Sequence, residues 1–233
     1  MNITQIRYEL VFPDPRSATP EGVVAFGGDL SPSRLMLAYR SGIFPWYSKH
    51  DPILWWSPDP RLILNLDDFK LRRSLKKKLK HFEFRFDAAF NEVIKECATI
   101  HRSGQNGSWI LSEVVEAYCA LHDMGHAHSV EAYQDGKLVG GLYGVVVGKV
   151  FCGESMFARV SDASKAAFAV LIAHLKAWGF EFIDAQVPTE HLKSLGAVEV
   201  SREYFLKRLE ACRDENVTVS WRYDSQLLKN DEK

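Results

Sequence analysis

The sequence predicts an α+β protein, with a small N-terminal α/β part over residues 1–61 and a larger part over residues 62–233. Three observations carry this expectation. Hydrophobic residues make up 46% and charged residues 25% of the 233 positions, the balance of a soluble globular chain that can bury a large core. Residues 1–61 are rich in Pro and Gly and hold one clear helical pattern. Beyond Trp109, hairpin-like runs give way to a helix, a strand and further helices, an order that suits helices packed on a mostly antiparallel sheet.

The N-terminal helix is read from "DLSPSRLMLAYRSG". Ser31 stands at the N-cap, Pro32 at the first helical position and Gly42 just past the end, with Leu35, Ala38 and Tyr39 on one face. The loop that follows, "SGIFPWYSKHDPILWWSPDPR", holds three of the six tryptophans and four of the nine prolines. Such a loop either plugs a core or makes a stiff aromatic platform. Next, "KLRRSLKKKLK" carries seven basic residues in eleven, with Leu71, Leu75 and Leu79 every fourth position. This predicts an amphipathic helix capped by Asp67 or Asp68, with leucines inward and Lys/Arg outward. Its basic face is either plainly solvated or a phosphate-binding stripe.

Phe82, Phe84 and Phe86 alternate as a strand before a helical stretch. "SEVVEAYCALHDMG" reads as a helix with Val114, Val115, Tyr118 and Leu121 on one face, closing at Gly125. A β-meander follows, with turns at Asp135–Gly136 and at Gly148–Lys149. "DASKAAFAVLIAHLKAWGF" predicts a long buried helix leading into the strand "FEFIDAQV", a short helix from Pro188, the strand "AVEV", and a last helix capped by Ser201.

Net charge is −1, which excludes a uniformly basic surface. The start lacks the basic-then-apolar pattern of a signal peptide, and the most apolar run is broken by Lys149 and too short for a bilayer. Cys97, Cys119, Cys152 and Cys212 form no C-x-x-C pair, so reduced thiols and a cytoplasmic location are expected.

Four constellations could carry chemistry. His122, His126 and His128 in "HDMGHAHS" look like a metal cluster but match no ligand pattern, so hydrogen-bonded histidines at a helix–strand junction are expected. The glycines of "GGLYGVVVG" fit no nucleotide-binding motif. In "CGES", Cys152 lacks an obvious base, and a buried strand cysteine is expected. Glu154 should share a strand face with Cys152 and Met156 and call for a cationic partner. In "FIDAQVPTEH", Asp184 and Gln186 point the same way where an apolar strand ends, either as a site or as a structural hydrogen-bonded pair.

Together, "GGDLSPSRLMLAYRSGIFPWYSKHDPILWWSPDPR", "GSWI", "AYCALHDMGHAHSVE", "LVGGLYGV", "FCGESMF", "ASKAA" and "IDAQVPTEHLKSLGA" resemble the bacterial leucyl/phenylalanyl-tRNA–protein transferases, from about Phe12 to Cys212. The tail from Arg213 carries no resemblance. The resemblance implies a GCN5-acetyltransferase-like fold for the larger domain, working as a monomer without ATP, metal or other cofactor. The implied enzyme moves Leu or Phe, less readily Met, from Leu-tRNA or Phe-tRNA onto an N-terminal Arg or Lys of a protein. That marks the acceptor for N-end-rule degradation.

The resemblance further places the tRNA's terminal adenine on Trp46 with Trp109 contributing, and leaves Trp55 and Trp56 structural. It places the transferred side chain among Leu142, Phe151, Leu171 and Leu175. Family pockets carry Phe at some of these positions, so Leu versus Phe preference is left open. Asp184 and Gln186 are implied as catalytic, and Glu154 lies near the incoming basic residue. An amide has almost no basicity near neutral pH, so Gln186 is expected to accept an N–H from the amine while Asp184 orients it; whether Gln186 or the substrate's own ribose hydroxyl handles the proton is left open. Lys76, Lys77 and Lys78 are expected on the tRNA backbone. Two rivals stand beside this reading. A CoA-dependent acetyltransferase would want a pyrophosphate loop of the R/Q-x-x-G-x-G/A kind, which is missing. An RNA-binding module would leave Glu154, Asp184 and Gln186 without a purpose.

Overall fold

A computed structural model of the chain describes residues 3–100 and 108–228. In chain order the elements are β1 (Thr4–Ile6), β2 (Val23–Gly27), α1 (Pro32–Arg40), β3 (Phe44–Pro45), β4 (Leu54–Trp56) and β5 (Arg61–Asn65). Then come α2 (Arg73–Lys78), β6 (Glu83–Phe86), α3 (Phe90–Thr99), α4 (Ser112–Asp123), β7 (Ala127–Gln134), β8 (Lys137–Val147) and β9 (Val150–Ala158). The chain continues through α5 (Ala163–Ala177), β10 (Phe182–Gln186), α6 (Glu190–Ser194), β11 (Val198–Val200) and α7 (Arg202–Cys212). This is a mixed α/β architecture with an N-terminal and a C-terminal portion.

Two sheets organise it. A four-stranded sheet of order β1-β2-β4-β3 holds the N-terminal portion; its strands span only two to five residues, too short for a legible alternation. The larger sheet has seven strands in the order β11-β5-β10-β9-β8-β7-β6. Only β9 and β10 run parallel within it; every other neighbouring pair is antiparallel. Both predicted hairpins form, and Asp135 and Gly136 take φ of 51° and 73°, the left-handed pair that a two-residue turn needs.

Helices cover both faces of the large sheet. One core joins α1, α3, α4 and α7 to residues such as Tyr143, Val145 and Cys152. The other packs α5 and Leu75 of α2 over Leu142, Phe151 and Ile183. The tail beyond Arg213 carries no regular structure in its described part, yet Val217, Trp221, Tyr223 and Leu228 pack on this second core.

The basic stretch departs from its expectation. Its α-helix spans only Arg73–Lys78 and passes into a 3-10 turn at Leu79–His81. Asp67 and Asp68 belong to an earlier 3-10 turn; the N-cap is Arg72, without a side-chain cap. Leu75 is buried as expected, while Leu71 and Leu79 are partly buried. The last helix is capped as read, with Ser201 Oγ accepting from Tyr204 N–H at 3.2 Å. The short helix starts at Glu190, two residues after Pro188, with Thr189 as its N-cap.

Candidate active site

The site lies where β9 and β10 part company. Their parallel pairing runs from Val150–Phe182 to Cys152–Asp184 and goes no further. Past that point both strands are irregular. On β9, Gly153 pairs with Gly144 and Ser155 with Tyr143, which leaves Glu154 as an extra, bulged residue. On β10 the register with β5 shifts between Asp184 and Gln186, and Gln186 takes φ of 61°. A non-glycine residue in that conformation costs about 1–3 kcal/mol and persists only where its surroundings hold it.

What holds it is a buried ion pair. Arg61 and Asp184 are each 1% exposed, and Arg61 donates through Nε to Asp184 Oδ1 (2.8 Å) and through Nη2 to Oδ2 (2.6 Å). Asp184 Oδ1 also accepts the backbone N–H of Gln186 at 3.0 Å. The guanidinium is further placed by the Gly42 carbonyl (3.2 Å) and by the rings of Phe44 and Phe205, at 4.9 and 4.3 Å from their centroids. Asp184 therefore meets Gln186 through the main chain and not through the side-chain amide.

Glu154 differs from its expectation in two ways. The bulge turns Met156 to the opposite core from Cys152, so the three do not share one face. Moreover, its neighbours are hydrogen-bond donors, and the buried cation belongs to Asp184 instead. Glu154 accepts from Gln186 Nε2 (2.7 Å), and the hydroxyls of Tyr39 (2.7 Å) and Tyr118 (3.2 Å) lie within hydrogen-bond distance of its carboxylate and of each other, two protons shared among three contacts. Burial pushes the Glu154 carboxyl up to about 7, against the pull of hydrogen bonds from Tyr39, Gln186 and Tyr118; the Asp184 charge adds a smaller push. Burial, with Glu154 nearby, also lifts both tyrosines well above the ordinary range, so they act as donors. Cys152 is buried, its thiol raised well above the usual value by burial and by Asp184, which makes it a neutral group and no nucleophile.

A cavity of about 560 Å³ opens onto this cluster. Gln186, Glu154, Tyr143 and Ser155 line one part, Trp46 and Trp109 another, and Leu142, Phe151, Met156, Phe168, Ile183 and Ala185 make an apolar portion. Of the expected pocket residues, Leu142 and Phe151 line this wall. Leu171 and Leu175 do not: α5 turns both fully into the second core, and Phe168, one turn earlier, reaches the cavity. Trp46 keeps 39% of its surface exposed and is tethered by Trp56, whose indole donates to the Trp46 carbonyl at 2.6 Å. Trp55 is fully buried, donating to the Gly27 carbonyl at 2.9 Å. Of the "GSWI" stretch, Gly107 lies outside the described residues.

The remaining candidates fall elsewhere. Lys78 is bonded to Asp162 at 2.6 Å, Lys77 is exposed, and Lys76 is partly buried. His122 and His128 come together with Asp87. Three of their ring nitrogens are engaged, however: His122 Nδ1 with the Ala127 carbonyl (2.8 Å), His128 Nδ1 with Asp87 (2.7 Å) and Nε2 with the Gly125 carbonyl (3.2 Å). The cluster ties α4 and the start of β7 to the turn after β6. His126 is not part of it.

Arg61, Tyr39 and Tyr118 escaped the sequence reading as site residues. A signal existed for Arg61: it opens the apolar run "RLILNL", and an arginine there needs a carboxylate as much as Asp184 needs a cation.

Residues 63–210 match the family model described as leucyl/phenylalanyl-tRNA protein transferase, and residues 28–59 match the model of that family's N-terminal domain. A leucyl/phenylalanyl-tRNA–protein transferase of Sulfurimonas denitrificans is 64% identical over 216 residues, covering 93% of this chain and 95% of its own. One of Maridesulfovibrio salexigens is 54% identical over 217 residues, covering 91% of this chain and 90% of its own. Among solved structures, a GCN5-related N-acetyltransferase from Kribbella flavida superimposes loosely, with a TM-score of 0.33 and 11% identity over 71% of this chain and 59% of that one. Matched along nearly its whole length, the chain belongs to the leucyl/phenylalanyl-tRNA–protein transferase family and is an aminoacyltransferase.

Proposed function

We propose that this enzyme moves Leu or Phe, less readily Met, from aminoacyl-tRNA to the α-amine of an N-terminal Arg or Lys, in the cytoplasm and as a monomer. The product would carry a destabilising N-terminus and enter N-end-rule degradation. The observation that carries the reading is the setting of Gln186. Its amide nitrogen is committed to Glu154 and its main-chain N–H to Asp184, so the amide's carbonyl oxygen is the end left for a ligand in the cavity.

The ester of aminoacyl-tRNA is already activated, so the enzyme's task is to hold a neutral amine in line with the carbonyl. Gln186 Oε1 accepts one N–H of that amine and aims its lone pair at the ester carbon. The new C–N bond forms, the C–O bond to the ribose breaks, and the ribose oxygen leaves with a proton as a hydroxyl. Glu154 holds the amide in place and supplies negative charge toward the acceptor's guanidinium or ammonium. Trp46 and Trp109 stack the terminal adenosine, and the apolar wall of Leu142, Phe151, Phe168 and Ile183 takes the transferred side chain. Lys76, Lys77 and Lys78 serve the tRNA phosphates, with Lys78 exchanging Asp162 for them.

The test is incubation with labelled Phe-tRNA and a peptide beginning with Arg. Label in the peptide supports the reading. No transfer, together with a melting temperature raised by acetyl-CoA, would move the enzyme to acetyl transfer.

A further inference from the structure

The C-terminal tail reaches Phe151, a residue of the cavity's apolar wall, through Trp221. Trp221 stacks on His128 with ring centroids 3.8 Å apart and planes 7° from parallel. His128 is itself fixed by Asp87 and the Gly125 carbonyl. Around the same indole stand Trp178, edge-on at 4.9 Å, and Phe151, tilted by 36° at 6.2 Å. The tail is fastened again three residues on, where the Asp224 N–H donates to His174 Nε2 at 2.8 Å while His174 Nδ1 bonds the Val170 carbonyl at 2.7 Å.

Phe151 is the shared member: it lines the cavity and also meets Trp221. Its ring lies over the bare backbone of Gly144, where an added Cβ would stand 2.5 Å from the ring. Gly144 pairs with His128 across β7 and β8, so the histidine under Trp221 and the glycine under Phe151 are cross-strand neighbours. The ring of Phe151 thus has a floor at Gly144, the cavity on one side and Trp221 on another. Trp221 therefore occupies one of the directions in which a packed ring could yield to a larger ligand.

We propose that Trp221 is a positioning residue for substrate choice: by backing Phe151 it sets the depth of the cavity and so the size of the side chain transferred. The inference rests on the proposed role of the cavity as the acyl side-chain pocket. Removing the indole lets Phe151 retreat, deepens the cavity and favours Phe over Leu. One methylene in an apolar pocket already separates substrates by roughly 10- to 200-fold, so a partial change of depth should move the ratio by at least about fivefold.

The experiment compares kcat/KM for Leu-tRNA and Phe-tRNA, with one Arg-starting peptide, in the wild type, Trp221→Ala and Trp221→Phe. Trp221→Ala should shift the ratio toward Phe by at least about fivefold. Trp221→Phe should shift it the same way by less, and it serves alone if the alanine variant does not fold. Indole added to Trp221→Ala should return the ratio toward that of the wild type. Equal losses for both tRNAs, or an unmoved ratio, overturn the inference, since Trp221 then merely supports the fold. A wild-type enzyme that transfers neither residue overturns the underlying reading, and this inference with it.

Discussion

Arg61 and Asp184 form a two-pronged ion pair between adjacent strands, β5 and β10, with 1% of either side chain exposed. Arg61→Ala should lower stability by about 3–5 kcal/mol, because it strands a buried carboxylate. Arg61→Met combined with Asp184→Leu should regain most of that stability, read by thermal unfolding, without regaining transfer. A double variant as active as the wild type would show that the pair has no part in setting Gln186.

Gln186 and Asp184 act through one hydrogen bond, so their losses should not add. Each alanine variant should lower kcat, and the double variant should be little worse than the poorer single one. Gln186→Glu is the sharper probe. It would set a second carboxylate against Glu154 and lose the amide's donation, so rate should fall. A retained or raised rate at suitable pH would assign Gln186 a true base role.

Glu154, held at about 7 in the fold, lies above the ordinary 4.5. Between about 4.5 and 7 the folded protein therefore keeps a proton that the unfolded chain has lost, and the contribution of this group to stability falls as pH rises through that window. Glu154→Gln should remove this slope from melting temperatures measured against pH. It should also raise KM for peptides beginning with Arg or Lys more than KM for aminoacyl-tRNA. Equal losses for both would confine Glu154 to holding the scaffold.

Trp46→Ala should raise KM for aminoacyl-tRNA by the loss of a stacking partner, about 1–3 kcal/mol, with little change in melting temperature. The indole is 39% exposed and Trp56 contributes its own donor to the Trp46 carbonyl, a main-chain group that the substitution keeps. An unchanged KM removes Trp46 from the tRNA site.

Reversal of Lys76, Lys77 and Lys78 to Glu should weaken tRNA binding and flatten its dependence on salt. The exposed Lys78–Asp162 pair contributes little to stability, so the fold should tolerate the change. A salt slope identical to that of the wild type leaves the stripe as an ordinary solvated face.

Much of the fold was legible because its signals are local. The helix from Pro32, the turns at Asp135 and Gly148 and the cap at Ser201 depend on residues a few positions apart, and each lies where the pattern puts it. The site was legible only in part. Asp184 and Gln186 announced themselves as polar groups ending an apolar strand. Arg61, the partner of Asp184, lies 123 positions from it, and Tyr39 and Tyr118, which bond Glu154, lie 115 and 36 positions from that residue; no periodicity links such distances. The bulge at Glu154 defeated simple alternation, which is why Met156 was placed on the wrong face. Leu171 and Leu175 were misplaced for a related reason: a helix buried on nearly every side gives no sequence sign of which buried side chain borders a cavity.

The guanidinium of Arg61 touches Gly42 and Phe44 from the N-terminal portion, Phe205 from α7, and Asp184 on β10. Trp46 lies two residues beyond Phe44, so the aromatic platform and the Gln186 carbonyl are referenced to the same buried point. A hinge between the two sheets would have to break that point. Substrate capture should then proceed as single-step docking into a preset shape, with the ordering entropy already met during folding. Association would be fast, its rate would rise linearly with enzyme concentration, and discrimination among aminoacyl-tRNAs would reside in how quickly each one leaves.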